Sequence, residues 1–312
     1  MRGIGWLAAV VLLLGAHGAR AFEVGVIGFQ FSSETHARVA NAAATAARAK
    51  GWSVTLLNSE GSLPKHAEQF EALLSKRVDA IIVAMGKPVE ADAQFASAKA
   101  RGVPVITVQS GASPHALFDI QTNEYKVGAD LTLQALGLMG YQGNLLSVRF
   151  DMNVASRIRG RVLDAALAEN QAVREVAKFS MARTASWQQD VRAGVQALLL
   201  QNRGKVQGVW ASFDGQAYIV DDLLQAQGAK KGQVPVVSAD GGPETYRRIA
   251  DPDSLFVATV AIPFEEMGRR AVEAVDAIVV QKQPASSVTQ GPYLYMDAEL
   301  VTQANVAKYL KP

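Results

Sequence analysis

From Phe22 onward, short β-branched runs alternate with helix-length stretches whose apolar residues recur every three or four positions. The pattern is clearest in Val78–Ser110. There Ile81, Ile82 and Val83 form a continuous apolar run suited to a strand covered on both faces. An alanine-rich crossover follows, and Gly102 ends it before Val103–Val108. A crossover of this length returns the chain to the same edge of a sheet, so the two strands are expected to be parallel. Their ends, Ala84–Lys87 and Gln109–Gly111, then open toward one crevice, where open α/β sheets bind ligands.

The same alternation runs through the rest of the chain. Strand Glu23–Phe29 precedes helix Thr35–Lys50, which Gly51 ends. Strand Val54–Leu57 and helix Lys65–Lys76, with Ala67, Phe70, Leu73 and Leu74 on one stripe, lead to strand Ala80–Val83. After Asn123 the pattern restarts with helix Tyr125–Met139, strand Asn144–Arg149, helix Ser156–Asn170 and strand Val173–Phe179. Helix Trp187–Gln201, strand Gly208–Ala211, helix Gln216–Gln227 and strand Val234–Ser238 continue it. Strand Leu255–Val260 and helix Phe264–Gln281 suit chain that leaves the second half and returns to the first. Two α/β halves of similar construction are predicted, joined by short hinge crossings because no low-complexity linker separates them.

At the front, Arg2 is followed by the apolar stretch Ile4–Ala16 and by Ala19-Arg20-Ala21, a small-x-small cleavage pattern. This reads as a secretory signal over residues 1–21, cut after Ala21. About 13 apolar residues are too few to span a membrane comfortably. The absence of cysteine excludes a disulfide framework and a lipid-anchored start. Removing Arg2 and Arg20 leaves 29 basic against 29 acidic residues, which gives nucleic-acid binding little support. His36, His66 and His115 follow no paired metal spacing, and neither a G-x-S-x-G elbow nor a Walker loop occurs. Asp214 with Asp240 is the one carboxylate pair that suggests glycoside chemistry, and an exported α/β enzyme is kept only as a minor alternative.

Seven segments, in order, resemble the periplasmic sugar-binding proteins of the ribose type, the solute receptors of ABC importers. They are VDAIIVAMGKP, GVPVITVQS, DIQTNEYKVG, SRIRG, VWASFDGQA, VVSADGGPETYRRI and ATVAIPFEEMG, and the resemblance covers essentially all of Phe22–Pro312. It implies the type I periplasmic binding protein fold: α/β, two Rossmann-like lobes with parallel-rich sheets and three hinge crossings. These are expected near Gln121–Asn123, Ile262–Phe264 and Ser286–Gln290. The lobes would then comprise 22–122 plus 263–287 and 123–262 plus 288–312. The resemblance further implies a periplasmic monomer that binds a small molecule between its lobes, hands it to an ABC permease of the inner membrane, and needs no cofactor. Bacterial repressors share these lobes, but this chain begins with an export signal where they carry a DNA-reading helix-turn-helix.

Departures from the sugar pattern shape the expected ligand. Gln109 and Ser110 stand where the family has an Asp-Arg pair, Phe213 where an asparagine is usual, and Ile262 where a glutamine is usual. Each lost partner costs a buried hydroxyl about 1–3 kcal/mol, so a ligand other than a simple sugar is expected. Arg159 and Asp240 align with ligand-facing residues, and Trp187 with an aromatic that stacks on the ligand. Phe29, Phe31, Trp210 and Phe213 are candidates for further flat surface, although Trp210 and Phe213 point to opposite faces of one strand. Arg149 and Arg157 are candidates to join Arg159 as carboxylate partners. Together these residues predict a planar, anionic cargo, with pyrroloquinoline quinone as the first compound to try. A sugar or modified sugar is the alternative ligand. A loaded sensor for a chemoreceptor or histidine kinase is the alternative role.

Overall fold

The structure is a computed structural model that describes residues 20–86, 92–182 and 186–310. The expected export signal falls, apart from its last two residues, outside the described residues. Among the described residues no helix is long and apolar enough to cross a membrane.

Two six-stranded sheets carry the fold. The first is built from β1 (Glu23–Gly28), β2 (Ser53–Asn58), β3 (Ala80–Ala84), β4 (Val105–Val108), β5 (Asp119–Thr122) and β11 (Tyr293–Met296), in the order β11-β5-β4-β3-β1-β2. The second contains β6 (Gly143–Arg149), β7 (Val173–Ser180), β8 (Gly208–Ala211), β9 (Val236–Asp240), β10 (Phe256–Ala261) and β12 (Glu299–Thr302), in the order β12-β10-β9-β8-β6-β7. All pairings are parallel except β10 with β12. Ile81 pairs with Val105 and Ala84 with Val108, as the apolar runs predict.

Period-two alternation decides which layer each strand residue joins. In the first lobe Val24, Val26, Ile82 and Val108 pack under α1 (Glu34–Ala49) and α9 (Phe264–Val275), whereas Ile27, Ile81, Val83 and Val105 pack against Phe70, Leu73 and Phe95 of α2 (Leu63–Lys76) and α3 (Asp92–Ala100). In the α2 stripe His66 takes a fully buried place and Ala67 is only half-buried. The second lobe repeats the layering. Leu145, Trp210 and Val237 face α4 (Glu124–Leu138) and Leu163 of α5 (Val154–Glu169), while Leu146, Val209 and Ala211 face α6 (Trp187–Gln201) and α7 (Asp214–Ala226). A short helix α8 (Pro243–Ala250) follows β9.

Small residues let α1 and α9 approach closely. Ala40, Ala43, Ala44 and Ala47 of α1 are fully buried, and a Cβ on Gly268 of α9 would sit 2.4 Å from the Val39 carbonyl oxygen and 2.9 Å from the Ala43 nitrogen. Backbone cannot yield as a side chain does, so Gly268→Ala is expected to destabilise the protein by about 1–3 kcal/mol. A urea unfolding curve checks this, and an unshifted midpoint would contradict the packing described.

Among the described residues the chain passes between lobes three times. The first two passages run from Thr122 into α4 and from Ala261 into α9. The third falls elsewhere than expected from the sequence. Tyr293–Met296 pairs with Asp119–Thr122 in the first sheet and Glu299–Thr302 with Ala258–Ala261 in the second, so the crossing is Asp297–Ala298 rather than Ser286–Gln290. Residues 288–296 therefore extend the first lobe. β11 is a four-residue edge strand, YLYM, none of whose residues is fully buried.

Candidate functional site

Each sheet is doubly wound, and in each the connections diverge on either side of one gap: between β1 and β3 in the first lobe, and between β6 and β8 in the second. Such a gap is the place where strand ends leave a crevice. Phe29 and Met85 follow β1 and β3, and Phe150 and Phe213 follow β6 and β8. All four line one cavity of about 90 Å³ between the lobes.

The cavity is lined by both aromatic and polar side chains. Trp187, at the start of α6, meets Phe213 edge-on at 5.3 Å, and Phe213 meets Phe150 at 6.3 Å. Ser33, Thr35, His36, Gln109, Asn153, Ser156, Arg159 and Asp240 supply the polar lining. Asn153 caps α5 by accepting from the Ser156 N–H at 3.0 Å. Burial pushes His36 down to about 4, and its Nδ1 accepts from the Gln30 N–H at 3.2 Å. The neutral ring therefore carries its proton on Nε2.

Three strand-end residues of this lining, Met85, Gln109 and Asp240, have φ of 56°, 51° and 156°. Such conformations cost side-chain-bearing residues about 1–3 kcal/mol each and gather at ligand clamps. Gln109 is 7% exposed. Its Nε2 donates to Thr122 Oγ1 at 3.1 Å, and its Oε1 is buried with no hydrogen-bond partner among the described residues.

Arg159, in the second turn of α5, is held from three sides. Nε donates to Glu124 Oε2 at 2.6 Å, Nη1 donates to the Ser212 carbonyl at 2.9 Å, and Asp240 Oδ1 lies 3.9 Å from Nη1. Burial, then the neighbouring Asp214, holds the Asp240 carboxyl well above the usual range, against the pull of Arg159 and Arg38. Asp214 itself is fully committed. It accepts from Ser238 Oγ, the Gly241 N–H at 2.8 Å, Thr245 Oγ1 at 2.6 Å and Thr259 Oγ1 at 2.9 Å. Those bonds oppose the upward push of burial on its carboxyl. They also leave Asp214 structural rather than one half of a glycosidase pair.

The lobes touch directly beside the cavity. Arg38 of α1, gripped by both oxygens of Glu265 at 2.7 and 2.9 Å, donates across to the Gly241 carbonyl at 2.5 Å. The positive φ of Gly241 (73°) and Gly242 (148°) turns that carbonyl toward Arg38, a turn that a side chain would resist.

Six of the ten residues singled out from the sequence come together here: Phe29, Gln109, Arg159, Trp187, Phe213 and Asp240. Four do not. Trp210 is fully buried in the core beneath α4, on the face of its strand opposite Phe213. Phe31 packs against the α1–α9 core. Arg149 is buried and spent on Ser147 Oγ, the Gly160 carbonyl, Asp164 at 2.7 Å and Glu175 at 2.5 Å. Arg157 donates to the Asp151 carbonyl at 2.7 Å. The expected cluster of three arginines is therefore absent from the cavity, and Arg159 is already neutralised by acidic neighbours. A flat polycarboxylate such as pyrroloquinoline quinone does not find the cations it needs, and that expectation is withdrawn.

The sequence did not single out His36, Met85, Phe150, Asn153 or Ser156 as lining. A usable signal existed for Phe150, because it follows the first strand of its half as Phe29 does in the other.

Comparison with known proteins bears on the same architecture. The family described as "Periplasmic binding protein domain" matches residues 24–283. The chain belongs to this family. Among curated relatives, the xylitol-binding protein of Mycolicibacterium smegmatis is 27% identical over 203 residues, 63% of this chain and 56% of that protein's length. The ribose import binding protein of Bacillus subtilis is 24% identical over 243 residues, 78% of this chain and 77% of its own length. Among solved structures, a solute-binding protein of an ABC transporter from Agrobacterium vitis with bound allitol superimposes with a TM-score of 0.82. It is 23% identical, with 93% of this chain and 98% of that one covered. This likeness shows that the periplasmic binding protein shares its fold with a polyol-bound neighbour.

Proposed function

We propose that this protein is the solute-binding receptor of an ABC importer and closes around a small neutral polyhydroxy compound, a polyol or sugar, which it delivers unchanged to a membrane permease. One observation carries the reading: Gln109 Oε1, a buried acceptor without a partner among the described residues, belongs to the lining of a small cavity that also carries aromatic rings. A hydroxyl satisfies such an acceptor, and the C–H face of a carbon chain lies well against aromatic rings. Asp240, with Arg159 and His36, provides for the other hydroxyls. The xylitol- and ribose-binding relatives and the allitol-bound neighbour support the same ligand class.

Binding and closure are one event in this scheme. Groups of both lobes must meet the ligand together, so ligand shifts the population toward the closed form that the Arg38–Gly241 bond also favours. The periplasmic name of the family supports action in that compartment.

Titration of the purified protein with alditols, pentoses, hexoses and flat aromatic carboxylates tests the proposal, followed by calorimetry and by the emission of Trp187. At least one neutral polyhydroxy compound is expected to bind with a Kd on the order of micromolar or tighter, about −8 kcal/mol or better. Binding of aromatic carboxylates alone would sink it.

A further inference from the structure

Glu124 opens α4 directly after the first crossing and is 3% exposed. It does not line the cavity, yet one of its oxygens acts on Arg159, which does, and the other on Thr122, which holds the lining residue Gln109. Oε1 accepts from Thr122 Oγ1 at 2.7 Å, and Oε2 accepts from Arg159 Nε at 2.6 Å. The carboxylate of this ion pair has no hydrogen to give, so the single hydroxyl hydrogen of Thr122 is committed to it. Thr122 Oγ1 can then only accept from Gln109, whose Nε2 stands at 3.1 Å. That choice fixes the orientation of the Gln109 amide: one hydrogen of its NH2 group is used inside the protein, and its Oε1 is left as an acceptor for a guest.

The other arm sets the charge. Glu124 neutralises Arg159, whose Nη1 already serves the Ser212 carbonyl and lies 3.9 Å from Asp240. Behind Asp240 lies Asp214, and Arg38 is taken by Glu265. His36 is uncharged. The charges nearest the cavity thus leave no free cation among the described residues.

We propose that Glu124 is the specificity-determining positioning residue of this site, making the cavity read hydroxyl donors and exclude carboxylates. A polyol hydroxyl gives its hydrogen to Gln109 Oε1. The carboxylate of a sugar acid meets that acceptor without a hydrogen to offer, and the guanidinium it needs is already paired. The inference rests on the polyhydroxy reading and adds to it the rejection of aldonic and uronic acids by a residue outside the lining.

The test compares wild type, Glu124→Gln, Glu124→Asp and Thr122→Val by calorimetry. The probes are pentitols, pentoses and the corresponding pentonic acids, each variant being first shown to melt cooperatively. Wild type is expected to prefer the neutral compound over its acid by at least about a hundredfold, and Glu124→Asp to keep that preference. Glu124→Gln releases Arg159 and frees the Thr122 hydroxyl, so the preference is expected to narrow by about tenfold or more. Thr122→Val cuts only the Gln109 arm. It is expected to weaken neutral binding while acids stay excluded, and it decides the matter if Glu124→Gln does not fold. Wild-type selectivity retained in folded Glu124→Gln, or acids admitted by Thr122→Val, overturns the role of Glu124. Failure of wild type to bind any neutral polyhydroxy compound overturns instead the functional reading beneath it.

Discussion

Replacing Arg159 by alanine is expected to weaken ligand binding by about a hundredfold or more and to cost the fold about 3–5 kcal/mol. The first effect follows from losing a charged donor at the cavity, where each charge-assisted hydrogen bond contributes about 1.5–3 kcal/mol. The second follows from what is left behind. Arg159 and Glu124 form an ion pair with side chains 4% and 2% exposed, and removing one partner strands the other charge in the interior. Calorimetric titration and urea unfolding separate the two effects. Adding Glu124→Gln to Arg159→Ala should recover much of the stability, because the stranded charge is gone, and none of the affinity. Unimpaired binding by a folded Arg159→Ala protein would remove this arginine from the site.

The second large effect is expected at Asp214, which never touches the cavity. Its carboxylate gathers the hydroxyls of Ser238, Thr245 and Thr259 and the Gly241 N–H, tying β9, α8 and β10 together under the second lobe's strand ends. Asp214→Ala removes several bonds to a charged acceptor. The hydroxyls re-pair in part and the Gly241 N–H does not, giving a loss of roughly 3–5 kcal/mol. Gly241 follows Asp240 and presents its carbonyl to Arg38 across the lobes, so affinity should fall along with stability. Asp214→Asn is expected to lose less than Asp214→Ala, because the side-chain oxygen and volume remain. Equal stability of wild type and Asp214→Ala in urea would refute this account.

Much of the architecture was legible in the residues alone. Runs such as Ile81–Val83 and Val105–Val108 have no polar face to show, so they must be strands covered on both sides, and helix-length crossovers make them parallel. What escaped lacks a buried apolar run: β5 is buried but reads DIQT, β11 and β12 are part-exposed, and the misplaced third crossing follows from missing β11. Within the site, Arg159, Asp240 and Trp187 were found through ordered resemblance, and Gln109 through its departure from it.

Local sequence thus determined the alternation of strand and helix and the strand ends from which a site is built, because hydrophobic period is a property of neighbouring residues. Only the tertiary structure decided that Arg149 spends its charge on Asp164 and Glu175, that Trp210 turns into the core, and that Glu124 neutralises Arg159. A charge or a ring acquires its role from groups far away in the chain, and packing alone brings those groups within reach.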